Sequence, residues 1–325
     1  MPGKRVFVTG GGGFLGSSVV ACLALDEEVE LVVSGDLSLP PDDERVDGVE
    51  YEVADVTDAA LISDRIGVHG VDTVVHLASI VNPGESTTPE VEYMVDVEGS
   101  RNVLAACLEH GVGRVIVSSS GAAYGYHADN PEWITEEWPT RGTATFPYSL
   151  HKALVEEELA SLRESNPELE QVVLRIGTIL GETVDNQITA LFEKPRLLKV
   201  RGSDSPFVFI WDEDVVAVIV RAVLGGPAGI YNVAGDGAMT VDEIADAMGK
   251  STIAVPAGLI RSGLFISNRL GISPHGPDQI DFLRYRPVLD NSRLKEAFGY
   301  APARTSREAF GSWLEARTHR STDRP

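Results

Sequence analysis

Arg5-Val6-Phe7-Val8-Thr9-Gly10-Gly11-Gly12-Gly13-Phe14-Leu15-Gly16 is the stretch that decides the fold. Residues 5–8 read as a short buried strand and residues 14–25 as a helix. Between them, Gly10, Gly13 and Gly16 are spaced G-x-x-G-x-x-G. Glycines so placed allow a tight turn and a close approach of the backbone to an anion. The helix start then offers free N–H groups and the positive end of its dipole. Three spaced glycines alone are weak evidence; set between the first strand and a helix, they read as a dinucleotide pyrophosphate site. Asp36 follows the second strand, 20 residues past Gly16. A carboxylate there accepts both ribose hydroxyls of NAD and repels a 2′-phosphate. No arginine or lysine follows until Arg45, so NAD is expected rather than NADP. The competing reading is a solvated loop aspartate. Asp55-Val56 ends the third strand, where a side chain reaches an adenine amino group; a helix N-cap before Asp58 is the alternative.

Outward from this turn the first half alternates two patterns. Strands are expected over residues 4–9, 29–34, 49–54, 73–77, 114–118 and 172–176, and helices over 58–66, 91–110 and 148–164. Runs of Val, Ile and Leu that do not alternate with polar residues fit strands covered on both faces. The alternation predicts an α/β fold, a doubly wound parallel sheet with right-handed crossovers. After about residue 181 the pattern loosens, with breaks at Gly226-Pro227 and Gly276-Pro277. A helix over 212–224 and a strand over 230–233 return to the sheet. The expected division is a dinucleotide-binding domain over 1–180 with returning segments near 207–234, a smaller, mostly C-terminal substrate lobe over 181–317, and a frayed tail over 318–325.

A chain of 325 residues can bury a large core, and a hydrophobic share of 43% is a globular value. Its 27 basic and 49 acidic residues give 27 − 49 = −22. Such a charge repels nucleic acid and anionic membranes, so neither is an expected partner, and any phosphate site must be locally basic. Cys22 and Cys107 are read as small buried side chains, with no disulfide framework. No signal peptide precedes the first strand and no apolar run approaches ~18 residues, so a soluble, cytoplasmic protein is expected. No metal site is expected.

Chemistry enters with Phe146-Pro147-Tyr148-Ser149-Leu150-His151-Lys152. Tyr148 and Lys152 stand four apart, on one face of a helix. The serine cluster Ser118-Ser119-Ser120 closes an apolar run upstream. A free tyrosine titrates near pH ~10, and a neighbouring lysine cation lowers that value. In this reading Ser120 orients a substrate oxygen and Tyr148 takes the hydroxyl proton while hydride passes to a nicotinamide. Lys152 also holds the nicotinamide ribose.

These motifs resemble the extended short-chain dehydrogenase/reductases, the NAD-dependent epimerase/dehydratase family. The matching stretches are the glycine turn, Asp55-Val56, Val75-His76-Leu77-Ala78-Ser79, Val97-Glu98-Gly99-Ser100-Arg101-Asn102-Val103-Leu104, the segment from Ser118 to Gly125, Tyr148 to Lys152, Leu174-Arg175, Asp212-Glu213-Asp214-Val215 and Tyr231-Asn232-Val233. The resemblance implies a Rossmann domain, a tightly held NAD, and Ser120, Tyr148 and Lys152 as the catalytic set. It implies cofactor contacts from Gly10, Gly13, Phe14, Leu15, Gly16, Asp36, Asp55, Val56, Leu77, Ala78, Ser79, Tyr148 and Lys152, and homodimers formed through the two long helices.

Within the family, dehydratases and decarboxylases place acids just after the catalytic serine or threonine. Here Ser120 is followed by Gly121-Ala122-Ala123-Tyr124-Gly125, which disfavours both chemistries. Two expectations remain. One is a UDP-glucose 4-epimerase-like enzyme that acts on a nucleotide sugar through a keto intermediate. The other is an NAD-dependent alcohol dehydrogenase or ketone reductase on a smaller substrate, with Phe207, Phe209 and Trp211 along an apolar pocket. A non-catalytic NAD-sensing protein is the remote third. Departures from the epimerases are Thr178 near a usual asparagine, Phe207 in place of a diphosphate-clamping arginine, and Asp96 at a usual asparagine. Arg201, Arg284 and Arg286 are the remaining candidates for diphosphate, Arg286 foremost.

Overall fold

The computed structural model describes residues 3–84, 87–184, 186–269 and 280–322. The Gly276-Pro277 break and the last three residues of the expected tail lie outside them. The strands are β1 (Lys4–Thr9), β2 (Val29–Asp36), β3 (Val49–Val53), β4 (Thr73–His76), β5 (Arg114–Ser120), β6 (Glu170–Ile176), β7 (Thr178–Leu180), β8 (Arg196–Val200), β9 (Phe209–Trp211), β10 (Gly229–Val233) and β11 (Ser251–Val255). Seven of them pair in parallel in the order β10-β6-β5-β4-β1-β2-β3. This is the doubly wound sheet of the sequence reading. From β1 the chain winds outward through β2 and β3, then crosses back to β4, β5 and β6. The reversal between β1 and β4 opens a crevice at the carboxyl ends of these strands, the usual place for a ligand in such sheets.

Successive side chains of the strands serve opposite faces. Val6 and Val8 pack with α1 (Phe14–Ala24) in one core, while Phe7 between them joins the other. The second core also takes residues of α2 (Ala59–Val68), α4 (Gly99–Glu109) and α5 (Pro147–Ser165). Strands buried on both faces explain why the sequence shows unbroken apolar runs rather than alternation. The long helix expected over 91–110 is divided: α3 (Pro89–Tyr93) passes into a π-helical segment, Met94–Glu98, and then into α4.

The later chain contributes α6 (Gln187–Phe192), α7 (Asp212–Val223), α8 (Val241–Ala247), α9 (Ala257–Arg269), α10 (Ile280–Arg284), α11 (Ser292–Glu296) and α12 (Ser306–Thr322). α7 packs on α1, and β10 extends the main sheet beside β6. A separate aromatic core gathers Phe192, Phe207, Phe209, Trp211, Phe310 and Trp313. The pairs β8–β11 and β7–β9 lie beside it as two short sheets.

One expectation is corrected. Cys22 is exposed on α1; only Cys107 is buried, and burial pushes its thiol up to about 12. Near the end of the described residues, on α12, Thr318 donates its hydroxyl to the Leu314 carbonyl and Arg317 pairs with Glu193. No helix among the described residues is long and apolar enough to cross a membrane.

Candidate active site

The glycine turn leaves β1 and enters α1 at the crevice. Gly10 has φ +69°, and a Cβ there would lie 2.8 Å from the Ala78 nitrogen. At Gly16 a Cβ would press on the Gly10 carbonyl and come within 2.8 Å of the Gly11 Cα. Larger residues would part the turn from the helix, so glycine at both positions is a packing requirement. Gly13 is the N-cap of α1 and supplies no side-chain cap, so the first N–H groups of the helix have no side-chain acceptor. Asp36, at the end of β2, reaches over this turn and its Oδ2 accepts the Gly12 N–H at 2.9 Å. The residues present therefore fit a dinucleotide: an open helix start for the pyrophosphate and a carboxylate beside it for a ribose.

Asp55 does not cap α2; Asp58 does, accepting the Leu61 N–H. Asp55 instead accepts from the backbone and hydroxyl of Thr57, at 2.9 and 2.7 Å. Asn102 donates to the Val56 carbonyl at 2.9 Å, which ties this strand end to α4. Leu77, Ala78 and Ser79 follow β4, with the Leu77 N–H donated to the Thr9 carbonyl beside the glycine turn. His76 bridges Thr9 at 2.7 Å and Ser100 at 2.9 Å, and burial, joined by the Lys152 charge, lowers it to about 3. It is a neutral strut between β1 and α4.

A cleft of about 540 Å³ runs from this turn toward the later chain. Gly13, Phe14, Leu15, Gly16, Leu77, Ser79, Ser120, Tyr148, Lys152, Thr178, Phe207 and Arg286 all border it. Gly10, Asp36, Asp55, Val56 and Ala78 do not line it. Arg201 is exposed and away from the cleft, and Arg284 is likewise absent from its wall. Phe209 and Trp211 are buried in the aromatic core, so Phe207 alone of that trio meets the cleft.

Ser120 ends β5 and caps the 3₁₀ turn Gly121–Tyr124, its Oγ accepting the Ala122 N–H at 3.1 Å. Tyr148 begins α5 just after Pro147 in the first turn, which leaves its side chain at the cleft wall. One turn later Lys152 is buried, its Nζ donating to the Ser118 carbonyl at 2.9 Å. The lysine nitrogen sits 5.6 Å from the Tyr148 ring centre. The sequence reading has this cation lowering the phenol's pKa. The structure differs: burial pushes Tyr148 up to about 12, opposed by a hydrogen bond with Ser120 and reinforced by the Asp96 charge. In this state Tyr148 is a phenol and Lys152 is engaged with the strand.

Behind Ser120, Glu156 accepts from the Ser119 hydroxyl at 2.5 Å and from Arg175 Nη2 at 2.6 Å. Arg175 Nη1 donates to the Tyr124 hydroxyl at 2.8 Å, and that hydroxyl donates to Asn232 Oδ1 at 2.8 Å. This polar spine joins α5, β5, β6 and β10. Arg286 is the cation in the far part of the cleft. Its guanidinium stacks 3.9 Å from the Phe207 ring centre and Nη1 donates to the Ser205 carbonyl at 2.7 Å. Its Nε is buried with no hydrogen-bond partner among the described residues, and burial lowers its pKa to about 9. Three residues that sequence reasoning missed complete the wall: Tyr126, Phe146 and Phe282, with ring centres 5.1–5.6 Å apart. Phe146 opens the stretch that carries Tyr148 and Lys152, but Tyr126 and Phe282 share no motif with it, so no local signal marks the cluster.

Known proteins have chains similar to this one. An uncharacterized protein of Mycobacterium tuberculosis is 26% identical over 321 residues, covering 97% of this chain and 84% of its own. The UDP-glucose 4-epimerase of Mus musculus is 29% identical over 200 residues, 57% of this chain and 56% of that one. The Bordetella bronchiseptica enzyme WbmG, solved in complex with NAD and UDP, superposes with a TM-score of 0.73 at 20% identity, covering 98% and 94% of the two chains. The model of the NAD dependent epimerase/dehydratase family matches residues 6–234. The chain belongs to the NAD-dependent epimerase/dehydratase family, enzymes of the extended short-chain dehydrogenase/reductase type that use NAD.

Proposed function

We propose that this protein is a nucleotide-sugar 4-epimerase-like enzyme in which Ser120 and Tyr148 handle the substrate hydroxyl. The observation that carries the reading is the meeting along one cleft of Ser120, Tyr148, Lys152, the glycine turn and Arg286, which has no carboxylate partner among the described residues. The chemistry that NAD supplies when bound is reversible acceptance of hydride from the substrate carbon. Ser120 holds the substrate oxygen; Tyr148, once its own proton has been given up, accepts the hydroxyl proton and later returns it to that same oxygen, after the resulting ketone has turned its opposite face to the returning hydride. Lys152 lies buried behind Tyr148, and its cation stabilises negative charge as it forms there. Arg286 makes no ion pair with a carboxylate among the described residues, so a diphosphate is a fitting counter-charge. Asp36 and Asp55 are assigned to the ribose and adenine sides of the cofactor. The exposed Val91 and Met94 on the long divided helix support a homodimer through that face.

One observation favours a second reading. The cleft wall is mostly apolar, with Tyr126, Phe146, Phe207 and Phe282 in it and a single arginine. That surface suits net oxidation or reduction of a smaller, less charged substrate. The two readings separate by assay. An epimerase interconverts UDP-glucose and UDP-galactose with no net change in NADH absorbance. Silence across a panel of sugar nucleotides, with steady NADH from simple alcohols, defeats the first reading. Tyr148→Phe should lower turnover ~10²–10⁴-fold while NAD binding is retained.

A further inference from the structure

Asp96 and His151 form a buried pair that the proton-transfer step does not use. Asp96 lies in the π-helical segment between α3 and α4, and His151 stands directly before Lys152 on α5. Isolated π turns are rare and tend to mark functional sites. His151 Nδ1 lies 3.2 Å from Asp96 Oδ2, with side chains only 6% and 2% exposed. Asp96 Oδ1 accepts from the Ser79 hydroxyl and the Ile80 N–H, both at 2.9 Å. One carboxylate thus ties the loop after β4, which borders the cleft, to the helix that carries Tyr148 and Lys152.

The pair also governs local charge. Asp96 faces His76 from β4, Tyr148, His151 and Lys152 from α5, and Glu92 from the adjoining α3. The Tyr93 ring packs edge-on against His151 at 5.7 Å. Burial opposes ionisation of Asp96, yet His151, Lys152 and the Ile80 and Ser79 hydrogen bonds hold its carboxyl below the usual range. It is therefore a carboxylate at neutral pH. Its charge hinders loss of a proton from Tyr148 and helps Lys152 keep one.

We propose that Asp96 and His151 are positioning residues of the proton-transfer site. The pair holds the cleft-side loop against α5 and sets the charge against which Tyr148 exchanges its proton with substrate. The proposal rests on Tyr148 being the proton-transfer group.

Asp96→Asn tests it, since asparagine keeps the acceptor for Ser79 and Ile80 but removes the charge. The limb of the pH–rate profile that belongs to Tyr148, measured on UDP-glucose, should move down by about one pH unit. An ultraviolet titration of tyrosinate, taken as the difference from the same protein carrying Tyr148→Phe, reads the same group without turnover. In the Asp96→Asn background that difference should appear at lower pH, and this titration decides the matter if UDP-glucose is not converted. A rate limb and a titration that superpose on the wild type overturn the proposal; a merely structural role lowers activity and moves neither. Activity retained in Tyr148→Phe would instead defeat the reading of Tyr148, and the proposal with it.

Discussion

Glu156→Gln offers the most direct probe of how the fold holds its site. Glu156 and Arg175 face each other with 4% and 5% of their side chains exposed, so solvent screens the pair little. Glutamine has the same shape and still accepts from Ser119 or Arg175, so hydrogen-bond loss is partial. What disappears is the counter-charge. Arg175 cannot swing out to water, because Nη1 is held by the Tyr124 hydroxyl and the Glu136 carbonyl and its guanidinium lies 4.6 Å over the Tyr124 ring. The cation stays buried and unpaired, a condition that costs about 3–5 kcal/mol. With the glutamine hydrogen bonds retained, about 3 kcal/mol is expected, a fall in Tm of roughly 6 °C at ~2 °C per kcal/mol for a chain of this size. Thermal unfolding followed by circular dichroism measures it. Glu157→Gln, on the exposed side of the same helix, is the control and should change stability by less than ~0.5 kcal/mol. Removing both charges, as Glu156→Gln with Arg175→Met, should recover part of the loss. Equal Tm values for the Glu156 and Glu157 variants would refute the argument, since they would mean that the buried cation finds water or another partner.

Two further outcomes are expected at the cofactor turn. Asp36→Ala removes the acceptor of the Gly12 N–H and the carboxylate set for ribose, and should reduce the preference for NAD over NADP by about tenfold; titration with each nucleotide checks it, and an unchanged ratio removes Asp36 from the cofactor site. Gly16→Ala drives a methyl group into the Gly10 carbonyl and the Gly11 Cα, and should lower stability by about 1–3 kcal/mol and weaken NAD binding. Unchanged NAD affinity by fluorescence titration would show that the turn is not the cofactor's seat.

The strands and the glycine turn were legible because their causes are local. β1 runs from Lys4 to Thr9 as expected, and Tyr148 with Lys152 lies on α5, because apolar runs and i, i+4 spacing are properties of neighbouring residues. Phe207 shows where such reading stops. The sequence places it near an expected pocket together with Phe209 and Trp211, yet only Phe207 reaches the cleft. The strand β9 sends Phe209 and Trp211 into a core built with α12, about a hundred residues further on. The phenol of Tyr148 is a second case. A lysine four residues on suggests a lowered pKa, but burial and the Asp96 charge raise it, and neither is visible without the packed helices.

The sequence by itself determined the family and the doubly wound sheet, and it set the glycine turn after β1 and Tyr148 and Lys152 on one helical face, since each rests on short-range pattern. Tertiary structure alone decided which arginine enters the cleft, which aromatics wall it, and that Asp96 and His151 meet. Those pairings join residues tens to more than a hundred positions apart, and the burial that sets their charge exists only once the layers close.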